Sequence, residues 1–182
     1  QLGGVPVNAI EEVWHAVTPP YTELFAWLEK RAPRPQSKIK APFRPVMLSH
    51  AIEDAELARI TAEDFAAEWK WDGIRVQAVR QDGVVRLYTR TADDISHTFP
   101  DLVAGFDVEG AIDGELLVGA RGGDRTDLGT FGDLQQRLNR KVVSEKMLET
   151  HPAFLRAYDC LIDGSTDIRG LTFRERRMRL EA

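Results

Sequence analysis

A single cysteine, Cys160, is all that the chain holds, so no disulfide framework can staple it. That scarcity fits a reducing cytosol. No apolar run approaches the roughly 18 residues needed to cross a bilayer, and no signal peptide precedes the first polar segment. The four histidines (His15, His50, His97 and His151) are scattered, without metal-ligand spacing, which argues against a histidine–cysteine metal centre. Excess positive charge is missing too: 24 Lys and Arg stand against 29 Asp and Glu, a net charge of −5. A uniformly basic nucleic-acid binder is therefore excluded, although a local cationic face is not. The glycine-rich "GARGG" at 119–123 has no following G-K-[ST], so it is no P-loop and reads as a flexible surface connection.

With 43% hydrophobic and 29% charged residues, the 182-residue chain can bury an ordinary core. Its charges are segregated. Residues 53–68 carry Glu53, Asp54, Glu56, Glu63, Asp64 and Glu68 against Arg59 alone, whereas "FRERRMRLEA" carries Arg174, Arg176, Arg177 and Arg179. Ile10, Val13, Trp14 and Val17, then Tyr21, Leu24, Phe25 and Leu28, repeat at helical spacing and predict a helical hairpin over 1–32. Asn8 with Glu11 is placed to cap the first helix, the prolines at 19 and 20 to end it, and Thr18 to cap the second. "RAPRPQSKIKAPFRP" (31–45), with four prolines and five basic residues, reads as a linker.

From residue 66 the period drops to two. "IRVQAVR", the turn "QDG" and "VVRLYTR" predict an antiparallel hairpin with one apolar and one polar face. "GAIDGELLVG" reads as a strand broken at Asp113-Gly114, and "AFLRAYDCLIDG" as another strand. "TFGDLQQRLN" reads as a helix capped by Thr130, and Thr172 with Glu175 as the capping box of a final helix. The expected class is α+β, mainly antiparallel sheet with flanking helices.

"EWKWDGIR" raises the chemical question. Lys70 and Arg75 would face opposite sides of a continuous strand, but Asp72-Gly73 permits a bend that brings them together. A nearby cation or apolar wall favours the neutral, nucleophilic form of an amine, and Arg75, Trp69 and Trp71 are placed to serve. K-x-D-G-x-R arises by chance in a chain of this length about 0.2% of the time. Three further elements can join it: Glu115 in "IDGEL" as a hydroxyl or magnesium acceptor, Tyr158 in "AYD" as a stacking face, and Arg90 in "YTR" as a phosphate fork.

In order and spacing, "EWKWDGIR", "LYTRTADDIS", "IDGELL", "AYDCLIDG" and "DIRGLTFRERRMRLE" resemble the successive motifs of ATP-dependent DNA ligases over residues 43–182. These belong to the lysine nucleotidyltransferase superfamily, with RNA ligases and mRNA capping enzymes. The resemblance implies the adenylation fold for 37–182, and the end of a helical DNA-binding domain plus linker for 1–36. It implies that Lys70 attacks the α-phosphate of ATP and that Glu68 lies against adenine, mainly through its backbone. Arg75 would contact ribose and phosphate, and Arg90 phosphate. Glu115 would take the ribose hydroxyl and share Mg2+, and Tyr158 would stack on the base. Nicked duplex DNA and DNA-repair proteins are the implied partners of a monomeric enzyme outside the membrane. The later glutamate-glycine and K-x-K motifs of the family are missing, so the chain is expected to be a piece of a longer protein, impaired alone in self-adenylation. Two other readings remain: an RNA ligase or capping-type enzyme, and a non-catalytic nick-binding module.

Overall fold

Alternating apolar and polar residues make β1 (Ile74–Gln81), and the turn at Asp82 and Gly83 takes φ of 51° and 74°. Two positive φ values give the turn whose twist matches the flanking strands, so β2 (Val84–Thr89) returns in direct register, from Gln81 opposite Val84 to Val76 opposite Thr89. The structure is a computed structural model and describes residues 4–36, 39–119, 127–138 and 140–182. The expected loop at 119–123 falls mostly outside them.

On the other side of β1 lies β3 (Gly110–Val118), followed by β4 (Ala153–Asp163) and the short β5 (Thr166–Asp167). The order is β2-β1-β3-β4-β5, and every neighbouring pair is antiparallel, which is the α+β class the sequence predicts. Asp113-Gly114 does not break β3. Glycine is needed there for close approach, because a Cβ on Gly114 would lie 2.7 Å from the Arg156 carbonyl oxygen. The irregularities fall on β4 instead, at Leu161 and at Tyr158. Gly114 pairs with Ala157 and Asp113 with Asp159, so Tyr158 has no residue opposite it. A bulge of this kind re-aims a side chain.

One face of the sheet buries Val76, Ala78, Leu87, Leu116 and Val118 against Phe99 and Leu134. Phe99 directly precedes α4 (Pro100–Gly105), and Leu134 belongs to α5 (Phe131–Leu138), whose start is fixed by reciprocal bonds between Thr130 and Asp133. Each fully buried leucine of this kind contributes about 1.5–3 kcal/mol. Arg137 of α5 is 0% exposed: it bonds both oxygens of Asp101 and the carbonyls of Thr98 and His151.

The opposite face was expected to be polar along the first hairpin. Half of it is covered. Ala41 and Phe43, from the end of the predicted linker, pack on Val79, Tyr88, Ala111 and Leu161. The Tyr88 hydroxyl donates to the Ala41 carbonyl at 2.8 Å, while Gln77 accepts from the Arg44 amide at 2.7 Å and donates to its carbonyl at 3.0 Å. Residues 41–45 are thus a strap whose backbone is satisfied by the "polar" positions of β1 and β2.

The helical hairpin forms as α1 (Val7–Trp14) and α2 (Thr22–Leu28) around Val13, Leu24 and Leu28. Trp14 and Phe25, expected inside, are half exposed, and Trp14 stacks on Tyr21 at 5.2 Å. Asn8 and Thr18 do not cap: Pro6 precedes α1, Tyr21 precedes α2, and the two prolines fill the connection. The hairpin meets the sheet body through a Glu12–Arg169 ion pair and an edge contact of His15 on Phe43. Among the described residues, α3 (Asp54–Leu57) and α6 (Glu145–Thr150) complete the helices with α7 (Phe173–Glu181), which carries the predicted Thr172–Glu175 capping box. None of these helices is long and apolar enough to cross a membrane.

Candidate active site

Where the strap ends, the second face opens into a cleft of about 730 Å³, within the range that holds small-molecule ligands. Its floor follows from the register. Arg75 lies opposite Glu115, and Gln77 opposite Asp113, so alternate residues of two neighbouring strands line up on one face. On the next strand Glu115 faces Arg156, and Asp113 faces Asp159.

Two carboxylates directly opposite each other repel, and each here has its own guanidinium. Arg75 donates to Asp113 at 2.5 Å and to the Met47 carbonyl at 2.8 Å. Arg176 clasps both oxygens of Asp159 at 2.8 Å and donates to the Leu171 carbonyl at 2.7 Å. Burial pushes Asp113 above the ordinary carboxylate range, although Arg75 and Gln77 draw it back part of the way. Glu115 is also raised by burial, opposed by the Gly73 amide that donates to it and by the charges of Arg75 and Lys70. Tyr158, raised by burial, presents its ring 5.6 Å from the Arg75 guanidinium carbon.

Lys70 sits on the rim, on a segment outside the sheet that bends at Asp72-Gly73 before β1 begins. The bend uses glycine for space: a Cβ on Gly73 would lie 2.3 Å from the Leu116 carbonyl oxygen, and its φ is not positive. Five of the six predicted residues, Glu68, Lys70, Arg75, Glu115 and Tyr158, line this one cleft. Arg90 does not. It is exposed just past the end of β2. Trp69, expected as an apolar wall for Lys70, is 83% exposed, and Trp71 packs under Arg156 at 5.2 Å.

Residues 46–182 match the family model described as "ATP dependent DNA ligase domain". The chain belongs to the ATP-dependent DNA ligase domain family. It is 27% identical to a DNA ligase of Pyrobaculum islandicum over 97% of its own length, and 30% identical to one of Aeropyrum pernix over 83%. A probable DNA ligase of Koribacter versatilis is 36% identical over 65%. This ligase-family chain spans only 31%, 25% and 21% of those relatives, respectively. A solved structure of mycobacterial DNA ligase D complexed with ATP and MES is 28% identical, with a TM-score of 0.47 over 63% of this chain and 35% of that one.

Several groups in the cleft were not predicted as site residues from sequence: Asp113, Gln77 and Asp159 on its floor, and Arg176 of α7 beside them. A carboxylate inside each of two apolar strands was the available signal for the two aspartates. In sequence the α7 arginines form one basic run, and the structure divides them. Arg176 is buried on Asp159, Arg177 pairs with Glu68 and Glu181, and Arg174 reaches the Glu63 carbonyl. The acidic segment and the basic helix therefore hold each other.

The residues present fit an adenine nucleotide. There is an aromatic face, an acceptor and two cations around one cleft, and the Arg75 Nε–H is buried without a partner among the described residues. For a divalent cation Glu115 is the predicted ligand, and no cluster of three ligating side chains occurs among the described residues. That matches magnesium only in its usual mode, with phosphates and water completing the shell.

Proposed function

We propose that this domain performs the nucleotide-transfer step of ATP-dependent DNA strand joining. The Lys70 amine, once deprotonated, attacks the α-phosphorus of ATP. The N–P bond forms, the bond to the β-phosphate oxygen breaks, and pyrophosphate leaves with the electron pair. Tyr158 stacks on the purine, Glu115 accepts from a ribose hydroxyl, and Arg75 faces ribose and α-phosphate. Glu68 lies along the base through its backbone. Magnesium, when bound, offsets charge on the departing pyrophosphate, with Glu115 as the residue that would hold it.

The AMP then passes to the 5′-phosphate at a nick in duplex DNA, and the 3′-hydroxyl displaces it to seal the strand. Arg90, exposed beyond the cleft, is assigned to that 5′-phosphate.

The observation that carries this reading is the convergence of Lys70, Arg75, Glu115 and Tyr158 on one nucleotide-sized cleft. Intact-mass analysis of the full-length parent protein after exposure to ATP and magnesium tests it. One added AMP, mapped to Lys70 and absent from Lys70→Ala, is the expected result; no adduct would overturn it. Sealing of nicked DNA, compared with nicked RNA duplex, tests the substrate.

A further inference from the structure

The segment that carries Lys70 is short of support. Residues 61–70 are all exposed, and residues 65–72 join no strand or helix. What fixes this wall of the cleft comes from two directions. At its far end the Gly73 amide donates to Glu115. At its near end the contacts come from α7: Arg174 to the Glu63 carbonyl at 2.5 Å, and Arg177 to the Glu68 carboxylate at 2.7 Å.

Arg177 does more than pair with Glu68. The same Nη1 donates to the main-chain carbonyl of Tyr158 at 3.1 Å, and Nε bonds Glu181 at 2.7 Å. One planar guanidinium therefore touches both walls of the cleft, the Lys70 segment on one side and the bulged residue of β4 on the other. The helix behind it is fixed, because Arg176 next door is clasped by Asp159 and the helix start is closed by its capping box. An arginine fork suits this bridging task, whereas a lysine ammonium is a point charge on a flexible stem.

We infer that Arg177 is a positioning residue of the nucleotide cleft, a strut that sets the spacing between the Lys70 wall and the Tyr158 wall. The inference rests on the proposed nucleotide transfer at Lys70. Arg177 bonds Glu68 and Tyr158, the two residues assigned to the base, and not Arg75, assigned to ribose and phosphate, so loss of the strut loosens the base slot first. Glu68 and Arg177 are each about a third or more exposed, and ion pairs of that exposure add little to global stability. The strut can therefore be removed without unfolding the domain.

The test uses the full-length parent protein. Arg177→Ala is expected to raise KM for ATP in Lys70 adenylation about tenfold, to keep the rate at saturating ATP within about threefold, and to leave KM for pyrophosphate in the reverse reaction unchanged. Arg177→Lys should fall between, and Glu68→Gln, which keeps an acceptor opposite Arg177, should lose less than Arg177→Ala. An unchanged KM for ATP, a defect confined to the rate, or an Arg177→Lys loss as large as that of Arg177→Ala would overturn the strut. Should Arg177→Ala fail to fold, Arg177→Gln carries the same measurements. Adenylation of the parent with normal KM in the variant sinks this inference alone; an unlabelled parent sinks the function it rests on.

Discussion

The two faces of β1 are one residue apart in sequence and differ in nearly every physical respect. Val76 and Ala78 point into a dry layer closed by Phe99 and Leu134, with leucines and valines from three strands around them. Arg75 and Gln77 point the other way, into a layer that is apolar only under the strap, at Phe43, Val79 and Leu161, that buries the carboxylates of Asp113 and Asp159 beside it, and that opens into the cleft. The dry face gains from area removed from water, which needs close packing but no directed partner. The cleft face gains only where each buried carboxylate has a partner, because an unpaired one costs several kcal/mol. Stability and chemistry are thereby assigned to opposite sides of the same strands.

The sharpest way to break that comparison is Lys70→Arg, which keeps the charge and removes the nucleophile. AMP labelling of the parent protein should vanish while the melting temperature stays put. Leu116→Ala acts on the other face: a cavity there should cost about 2–5 kcal/mol in urea unfolding, and KM for ATP should not move. Asp113→Ala should show both effects. It strands the largely buried Arg75 and deprives Gln77 of an acceptor, a loss of about 3 kcal/mol, and it frees a cleft cation, so affinity for ATP changes as well. If Asp113→Ala leaves ATP affinity untouched, the division between the faces is drawn in the wrong place.

Proton linkage gives smaller effects of opposite sign. Asp101 is pushed up by burial, yet the hydrogen bonds and charge of Arg137 and the Ala153 amide outweigh that and hold it below 3.8. Its contribution to stability is thus present above pH 3.8 and lost as pH falls through the folded value. Asp113 is held above 3.8, so its proton is bound more readily in the folded state; that contribution is present below pH 3.8 and lost as pH rises through the folded value. Denaturation followed against pH should therefore show a weaker acid-side loss in Asp101→Asn and a change of opposite sign in Asp113→Asn. Smallest of all, Arg86→Ala, which breaks a surface pair with Asp94, should cost no more than about 1 kcal/mol.

The hairpin of β1 and β2, the Asp-Gly turn and the capping box of α7 could be read directly from the chain, because each depends on residues within a few positions of one another. So could five residues of the cleft, since K-x-D-G-x-R, D-G-E and the tyrosine strand are local patterns. Tertiary structure decided the rest. The bulge that leaves Tyr158 unpaired comes from how β4 registers on β3, which no local period encodes. The polar positions Gln77 and Tyr88 are buried because a strap 33 and 47 residues upstream of them lies on them. The arginines of α7 look identical in sequence, yet one is buried on Asp159, one bridges the cleft and one sits at the surface near Asp163. Local pattern fixes backbone conformation, because its energies are local; which charge is desolvated, and by what partner, depends on contacts between distant segments and is settled only when the chain has closed on itself.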